Sequence, residues 1–191
     1  MSEHALRRVA EKFPAAVESG YSQHGDETLI IRAPFLVEVC RFCHDDPELD
    51  LKLPVSVTCV DYLGEQPRFE LVYTLYSITK KQHLRLKVRV TEEDPTAPSV
   101  IGVYRGMEYW ERYCWDMYGI RFSGKPASKR LWMYEEFVGH PLRKDYPLRG
   151  RQPLLPEREV VDIFRGPGPG FGSQQASAAP VARPGALPVV K

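Results

Sequence analysis

The sequence predicts an α+β fold: an antiparallel sheet of about four strands packed with helices, followed by an extended C-terminal arm. Three observations carry this. Residues 55–91 hold three segments in which apolar and polar side chains alternate, the period-two pattern of strands with one buried face. The connectors between them, Leu63–Pro67 and Thr79–Gln82, are short enough for hairpins. Residues 107–118 carry apolar side chains at helical spacing and run into Gly119, a residue suited to end a helix in the left-handed conformation.

In chain order, residues 3–19 place Leu6, Val9, Ala10, Phe13 and Val17 at helical spacing, with Pro14 interrupting the pattern. Thr28–Arg32 reads as a short strand. Pro34–His44 reads as a helix with Pro34 in its first turn, Leu36, Val39, Cys40 and Cys43 along one side, and Asp45, Asp46 and Pro47 ending it. Val55–Asp61 sets Val55, Val57 and Cys59 against Ser56 and Thr58. Phe69–Ser77 sets Phe69, Leu71, Tyr73 and Leu75 against Glu70, Thr74 and Tyr76. His83–Thr91 sets Leu84, Leu86, Val88 and Val90 against His83, Arg85, Lys87 and Arg89. An antiparallel meander with one covered face accounts for all three.

A break at Asp94–Pro98 precedes a short helical stretch near Ser99–Tyr104. In the helix over 107–118, Met107, Trp110, Cys114 and Met117 share one face. Glu108, Arg112 and Asp116 form an i,i+4 ladder on another, worth a few tenths of a kcal/mol per pair. Beyond Gly119 the chain reads as irregular and extended, with prolines at 126, 141, 147, 153 and 156. The expected organisation is an α+β domain over 1–120, a partner-binding arm over 121–165 and a flexible tail over 166–191. That tail holds five Gly, five Pro and five Ala, too little apolar surface to offset chain entropy.

Net charge is +1, so no whole-chain field points to nucleic acid or an acidic membrane. The charge is unevenly placed. Residues 1–120 carry 14 Lys+Arg against 19 Asp+Glu, whereas residues 121–151 carry 8 against 3. A basic segment on an acidic body favours a docking surface over uniform solvation. No apolar run approaches the roughly 20 residues needed to cross a bilayer. The charged N-terminus, MSEHALRRVAEKF, does not read as an export signal. Four cysteines without such a signal imply free thiols in a reducing compartment. Any membrane contact is expected to come through a partner.

Cys40-Arg41-Phe42-Cys43-His44 has the C-x-x-C-H spacing of covalent haem attachment. The lack of an export signal and the placement of both cysteines on an apolar helix side favour thiols packed as small hydrophobes. Cys59 and Cys114 are isolated in sequence and do not extend the motif to a metal site. Among five histidines, His140 alone lies in a dense polar segment, where a structural, backbone-bonded ring is the expected role. No nucleophile elbow, phosphate-binding loop or dinucleotide fingerprint is present. Arg121, Lys125, Lys129 and Arg130, beside Trp132 and Tyr134, would suit RNA by charge and stacking; a solvated extended arm and a salt-bridged arm laid on an acidic body are the other readings, and near-neutral net charge makes nucleic acid the weakest of the three.

Glu111–Pro147 is the densest stretch of the chain, rich in Trp, Tyr, Arg, Asp and Gly yet without a catalytic constellation. In Gly139–Arg149, the charged Arg143, Lys144 and Asp145 lie between two prolines that stiffen the chain. An arginine can pair bidentately with a carboxylate, and such pairs are enriched at interfaces. Flanking Phe137 and Tyr146 argue for an interface over a solvated loop.

At these residues the sequence resembles a known family. Trp110-Glu111-Arg112, Trp115-Asp116-Met117-Tyr118-Gly119-Ile120, Phe122 and Gly124, followed by Phe137 and Gly139-His140-Pro141-Leu142-Arg143-Lys144-Asp145-Tyr146-Pro147, match without gaps the signature of the C subunit of NADH-quinone oxidoreductase, respiratory complex I. Tyr113 and Lys125 stand where the family usually has Glu and His, and Ala127 stands near an acidic position. Arg130 keeps the family's arginine. The resemblance implies an α+β scaffold subunit of the hydrophilic arm, on the cytoplasmic side of the membrane. It implies no cofactor in this chain, with FMN and iron–sulfur clusters in other subunits, and subunits D, B and I as partners. It equally accommodates related complexes using ferredoxin, a deazaflavin or hydrogenase-type input. Glu111, Arg112, Asp116, Arg130, His140, Arg143, Lys144 and Asp145 are then expected to make interface or internal ionic contacts, and nucleic acid is not an expected partner.

Overall fold

The computed structural model describes residues 4–125, 129–150 and 152. Residues 1–153 form the first of two units, and the tail expected over 166–191 lies outside the described residues. The elements of the first are α1 (His4–Lys12), β1 (Val17–Gln23), β2 (Asp26–Ile31), a single 3₁₀ turn (Ala33–Phe35), α2 (Leu36–Asp45), β3 (Leu53–Asp61), β4 (Phe69–Ser77), β5 (Gln82–Val90), β6 (Thr96–Pro98), α3 (Met107–Tyr118) and β7 (Arg121–Ser123).

The fold is α+β as the alternation predicts, but the sheet has five strands in the order β1-β2-β5-β4-β3. It is mixed, because β2 and β5 run parallel while the other neighbours are antiparallel. The fifth strand is β1, which the helical spacing over 3–19 hides. The helix stops at Lys12, ahead of Pro14, which cannot continue it. The chain then turns into a hairpin. His24 (φ 53°) and Gly25 (φ 92°) occupy both central positions of the two-residue turn, the left-handed pair that matches strand twist. The parallel pairing follows from the crossover. After β2 the chain crosses through α2 to the far edge, descends β3 and β4, and returns in β5 beside β2.

The alternation sorts the two faces. Leu29, Ile31, Val57, Cys59, Phe69, Leu71, Tyr73, Leu75, Leu84, Leu86 and Val88 point to the side covered by helices and are buried. Leu36, Val39, Cys40 and Cys43 of α2 and Met107 and Cys114 of α3 join them. Val55 departs from this face: it is the extra residue of a bulge between Pro54 and Ser56 and is 41% exposed. All four cysteines are free and buried, and burial pushes the Cys43 and Cys59 thiols up to about 12. The Ser99–Tyr104 stretch is a hydrogen-bonded turn on the Val100 carbonyl, not a helix. Beyond Gly119 the chain is less irregular than expected, since β7 pairs in parallel with β6. Strands of three residues are too short to show an alternation.

Candidate subunit-docking site

α3 ends where Gly119 takes the left-handed conformation (φ 80°) and donates its amide to the Trp115 carbonyl at 2.9 Å. The site is built around this terminus, because it delivers Asp116, inside the last turn, to the returning chain. Asp116 is fully buried. Its Oδ2 accepts the amides of Leu131 (3.1 Å), Trp132 (2.8 Å) and Met133 (3.0 Å), and its Oδ1 takes Arg130 Nη1 at 2.7 Å. Burial pushes the carboxyl up, yet the Trp132 and Met133 amides and Arg130 outweigh it and hold Asp116 below the usual carboxylate range.

Arg130 in turn donates through Nη2 to the carbonyls of Phe137 (2.6 Å) and Gly139 (3.0 Å). It lies over the rings of Trp115 and Phe137 at 5.6 and 5.4 Å. Arg112 donates to the carbonyls of Lys129 (2.5 Å) and Arg130 (2.6 Å). The expected Glu108–Arg112–Asp116 surface ladder is therefore absent. Arg112 and Asp116 both spend their hydrogen bonds on backbone from 129–133, which a partner four residues along the same helix cannot match in number. Trp110 also leaves the expected buried face, at 39% exposed, and Glu111 takes its place in the core. The His140 Nδ1 lies 3.0 Å from the Asp116 carbonyl, and the ring rests where a side chain at 119 would be: a Cβ on Gly119 would come within 2.8 Å of it.

A second cluster holds the far end of the same segment. Arg68, buried against the Phe69 ring, pairs bidentately with Asp61 at 2.8 and 2.9 Å and also reaches Glu92 and Asp145. Arg143 bonds Glu92 at 3.0 Å and Asp145 at 3.1 Å, and the Lys144 amide donates to Asp61 at 2.8 Å. Arg68 holds Asp61 below the usual range. Arg143, then Arg68, does the same for Asp145. The Lys144 side chain is exposed. A third cluster lies under α3: Glu111 accepts from Ser99 Oγ and the Val100 amide, each at 2.8 Å, with Lys125 Nζ at 3.4 Å. Burial raises Glu111 against these donors. Lys125, one of the departures from the family pattern, thus supplies a cation to the buried Glu111. Tyr113, another, packs edge-on against Trp110 and Tyr118. Ala127 lies outside the described residues.

Sequence reasoning misses Asp61, Arg68 and Glu92. The signal available is opposite charge at the two ends of a tight hairpin, Asp61 closing β3 and Arg68 just before β4. Between the clusters, Phe137 stacks on Tyr146 at 6.1 Å and Tyr134 meets Phe137 edge-on. Gly139 (φ 93°) leaves room for the Tyr146 ring, which a Cβ would approach to 2.9 Å. With Arg130 and Arg143 turned onto partners within the chain, residues 129–150 present Trp132 (71% exposed), Val138 (71%), Leu142 (45%) and Leu148 (99%) outward beside exposed Lys129, Glu135, Glu136, Lys144 and Arg149. Among the described residues no group of three or more His, Cys, Asp or Glu could hold a metal ion, and no helix is long and apolar enough to cross a membrane.

Residues 29–152 match the family model described as respiratory-chain NADH dehydrogenase, 30 Kd subunit. The chain is 43% identical over 143 residues to the C subunit of NADH-quinone oxidoreductase from Roseiflexus sp. (strain RS-1), covering 75% of this chain and 82% of that protein. Its fold is similar to a trypsin-resistant fragment of Nqo5 (TM-score 0.54, 24% identity, 64% of this chain and 98% of the other). It is also similar to a chain of the membrane-bound sulfane sulfur reductase, an archaeal respiratory membrane complex (TM-score 0.66, 24% identity, 77% and 86%). The family match spans the whole of this internally paired ionic segment: the chain belongs to the 30 Kd subunit family of the respiratory-chain NADH dehydrogenase.

Proposed function

We propose that this chain is a non-catalytic structural subunit in the hydrophilic arm of a proton-translocating NADH:quinone oxidoreductase, where it holds the quinone-site subunits D, B and I. FMN and iron–sulfur clusters belong to other subunits, and the chain reaches the cytoplasmic face of the membrane only through the complex. The observation that carries this reading is the inversion of residues 129–150. Arg130, Arg143 and Asp145 are spent on contacts within the chain, while Trp132, Val138, Leu142 and Leu148 face out. Exposed apolar side chains on a segment locked by buried charge are what a docking surface requires, because binding then orders little further. The charged residues shape the surface and the apolar ones meet the partner.

The test is recovery of the detergent-solubilised complex from cells carrying Trp132→Ala with Leu142→Ala. The chain is expected to keep its melting temperature and to lose most of its incorporation into a complex with NADH-dependent quinone reduction. Arg143→Ala is expected to lower incorporation by loosening the segment. Normal yield of the complex with lost turnover in either variant would overturn the reading. The NADH dependence of that assay also separates this complex from relatives fed by ferredoxin, a deazaflavin or hydrogen.

A further inference from the structure

The two edges of the five-stranded sheet differ. β3 has α3 packed against it, with the Cys114 thiol on the Val57 carbonyl at 3.7 Å. β1 has no described element beyond it, and every residue from Glu18 to Gln23 is exposed. Exposed edge strands ordinarily carry a Lys, a Pro or a bulge that blocks further pairing. The β1 bulge sits at its start, between Val17 and Ser19, and Ser19–Gln23 then keep regular register without charge or proline.

The turn chemistry fixes which backbone groups are free. A two-residue hairpin makes its flanking residues, Gln23 and Asp26, a hydrogen-bonded pair. Bonded pairs then alternate along an antiparallel ladder, giving Tyr21 with Thr28 and Ser19 with Ile30. The N–H and C=O groups of Gly20 and Ser22 therefore point away from β2, toward open space. The surface there is low. Gly20 has no side chain, and a Cβ on it would press on Leu29 and Leu6 at 3.0–3.1 Å. Tyr21, on the opposite face, has the Lys87 ammonium 5.9 Å from its ring centroid.

We propose that the outer edge of β1 is a docking strand, extended by a neutral or basic segment of a neighbouring subunit that pairs with the main chain of Gly20 and Ser22. Backbone groups in this spacing select an extended chain over a helix or a flat surface. Glu18 is the one charge along the edge, so an acidic segment is disfavoured. A second copy of this chain is the poorer occupant. Five regular residues span only about 17 Å, and a symmetric pairing of that length falls well short of the roughly 1,200 Å² that a stable interface buries. A subunit already held elsewhere on this chain needs no such area from the strand. The inference rests on the proposed function only for the source of that strand.

Amide hydrogen exchange resolved to single residues, on the assembled complex, tests it. In the complex the Gly20 and Ser22 amides are expected to exchange at least about 100-fold slower than free peptide, comparable with Tyr21 and Gln23. A photo-crosslinker at position 22 is expected to capture another subunit. Ser22→Pro removes an outward N–H and no bond of the hairpin, so Gly20 protection is expected to fall about tenfold or more while Thr28 stays protected. A chain incorporated in the complex but with free exchange at Gly20 and Ser22 overturns this proposal and leaves the proposed function standing, and so does capture only of a second copy. Absence of the chain from any complex overturns both.

Discussion

Asp116→Ala is the most direct perturbation of the segment over 129–150. The substitution removes one acceptor oxygen from three amides and the carboxylate from a guanidinium whose side chain is 11% exposed, while Asp116 itself is 0% exposed. Removing one partner of a buried ion pair costs about 3–5 kcal/mol, because the other charge is left uncompensated. The three amides are close to the surface and regain water in part, so about 4 kcal/mol is a reasonable total. In a domain of this size that corresponds to a fall in melting temperature of about 8–16 °C. The loss is expected to begin as local opening of residues 129–150, so the new bonds accessible to trypsin should be those after Lys129 and Arg130. Asp116→Asn keeps the shape and one acceptor, and should cost about half as much. In a double-mutant cycle, adding Arg130→Ala to Asp116→Ala should cost little more than either alone, since the two act on one network. Thermal unfolding by circular dichroism and limited proteolysis give both readouts. A fall below about 2 °C for Asp116→Ala with unchanged proteolysis would refute the claim that this carboxylate organises the segment.

Four further outcomes follow from the same geometry. Asp61, Asp116 and Asp145 are all held below the usual carboxylate range, so their stabilisation is fully present above the ordinary value of about 3.9 and is lost as pH falls through their lower folded values. The melting temperature should therefore drop steeply below about pH 4, less steeply in Asp145→Asn. Glu111 works oppositely: its raised value makes its contribution decline as pH rises from about 4.5, and Glu111→Gln should remove that decline. Gly119→Ala forces a left-handed alanine and a Cβ at 2.8 Å from the His140 ring, so melting should show a loss of about 1–3 kcal/mol. The four buried thiols should be unreactive to a disulfide reagent at about pH 8 in the native chain and should all react in denaturant.

Sequence reading succeeds where one local rule decides the outcome. Phe69–Ser77 alternates except at Val72 and is a strand over the same residues; Met107–Tyr118 is a helix capped by Gly119 as its spacing and cap predict. It fails where tertiary contacts decide. β1 is hidden because Val17 fits the helical spacing of α1, and only the turn at His24–Gly25 marks a hairpin there, with His in place of the usual Asn or Asp. The surface ladder on α3 is a sound local inference for Arg112 and Asp116. It loses to backbone partners more than ten residues away, which no helical periodicity reports. Asp61 and Arg68 escape notice for the same reason: their pairing is local, but its purpose, to receive Asp145 and the Lys144 amide, is not.

The same long-range contacts explain what the basic segment is. An excess of positive charge over 121–151 looks like a surface offered to an acidic partner. Yet Lys125, Arg130 and Arg143 meet Glu111, Asp116, Glu92 and Asp145 of this same chain, so much of the acidic surface they answer is their own body. Once those charges are matched internally, little net field remains to steer a partner, and specificity must come from shape. A loop without regular secondary structure can present a fixed shape only if its backbone polar groups are satisfied. Asp116 and Arg130 do that for 131–133, 137 and 139, and Asp61 does it for 144. Charge in this segment therefore acts on its own backbone, and under the proposed function the consequence for binding is carried by the apolar side chains that the backbone holds outward.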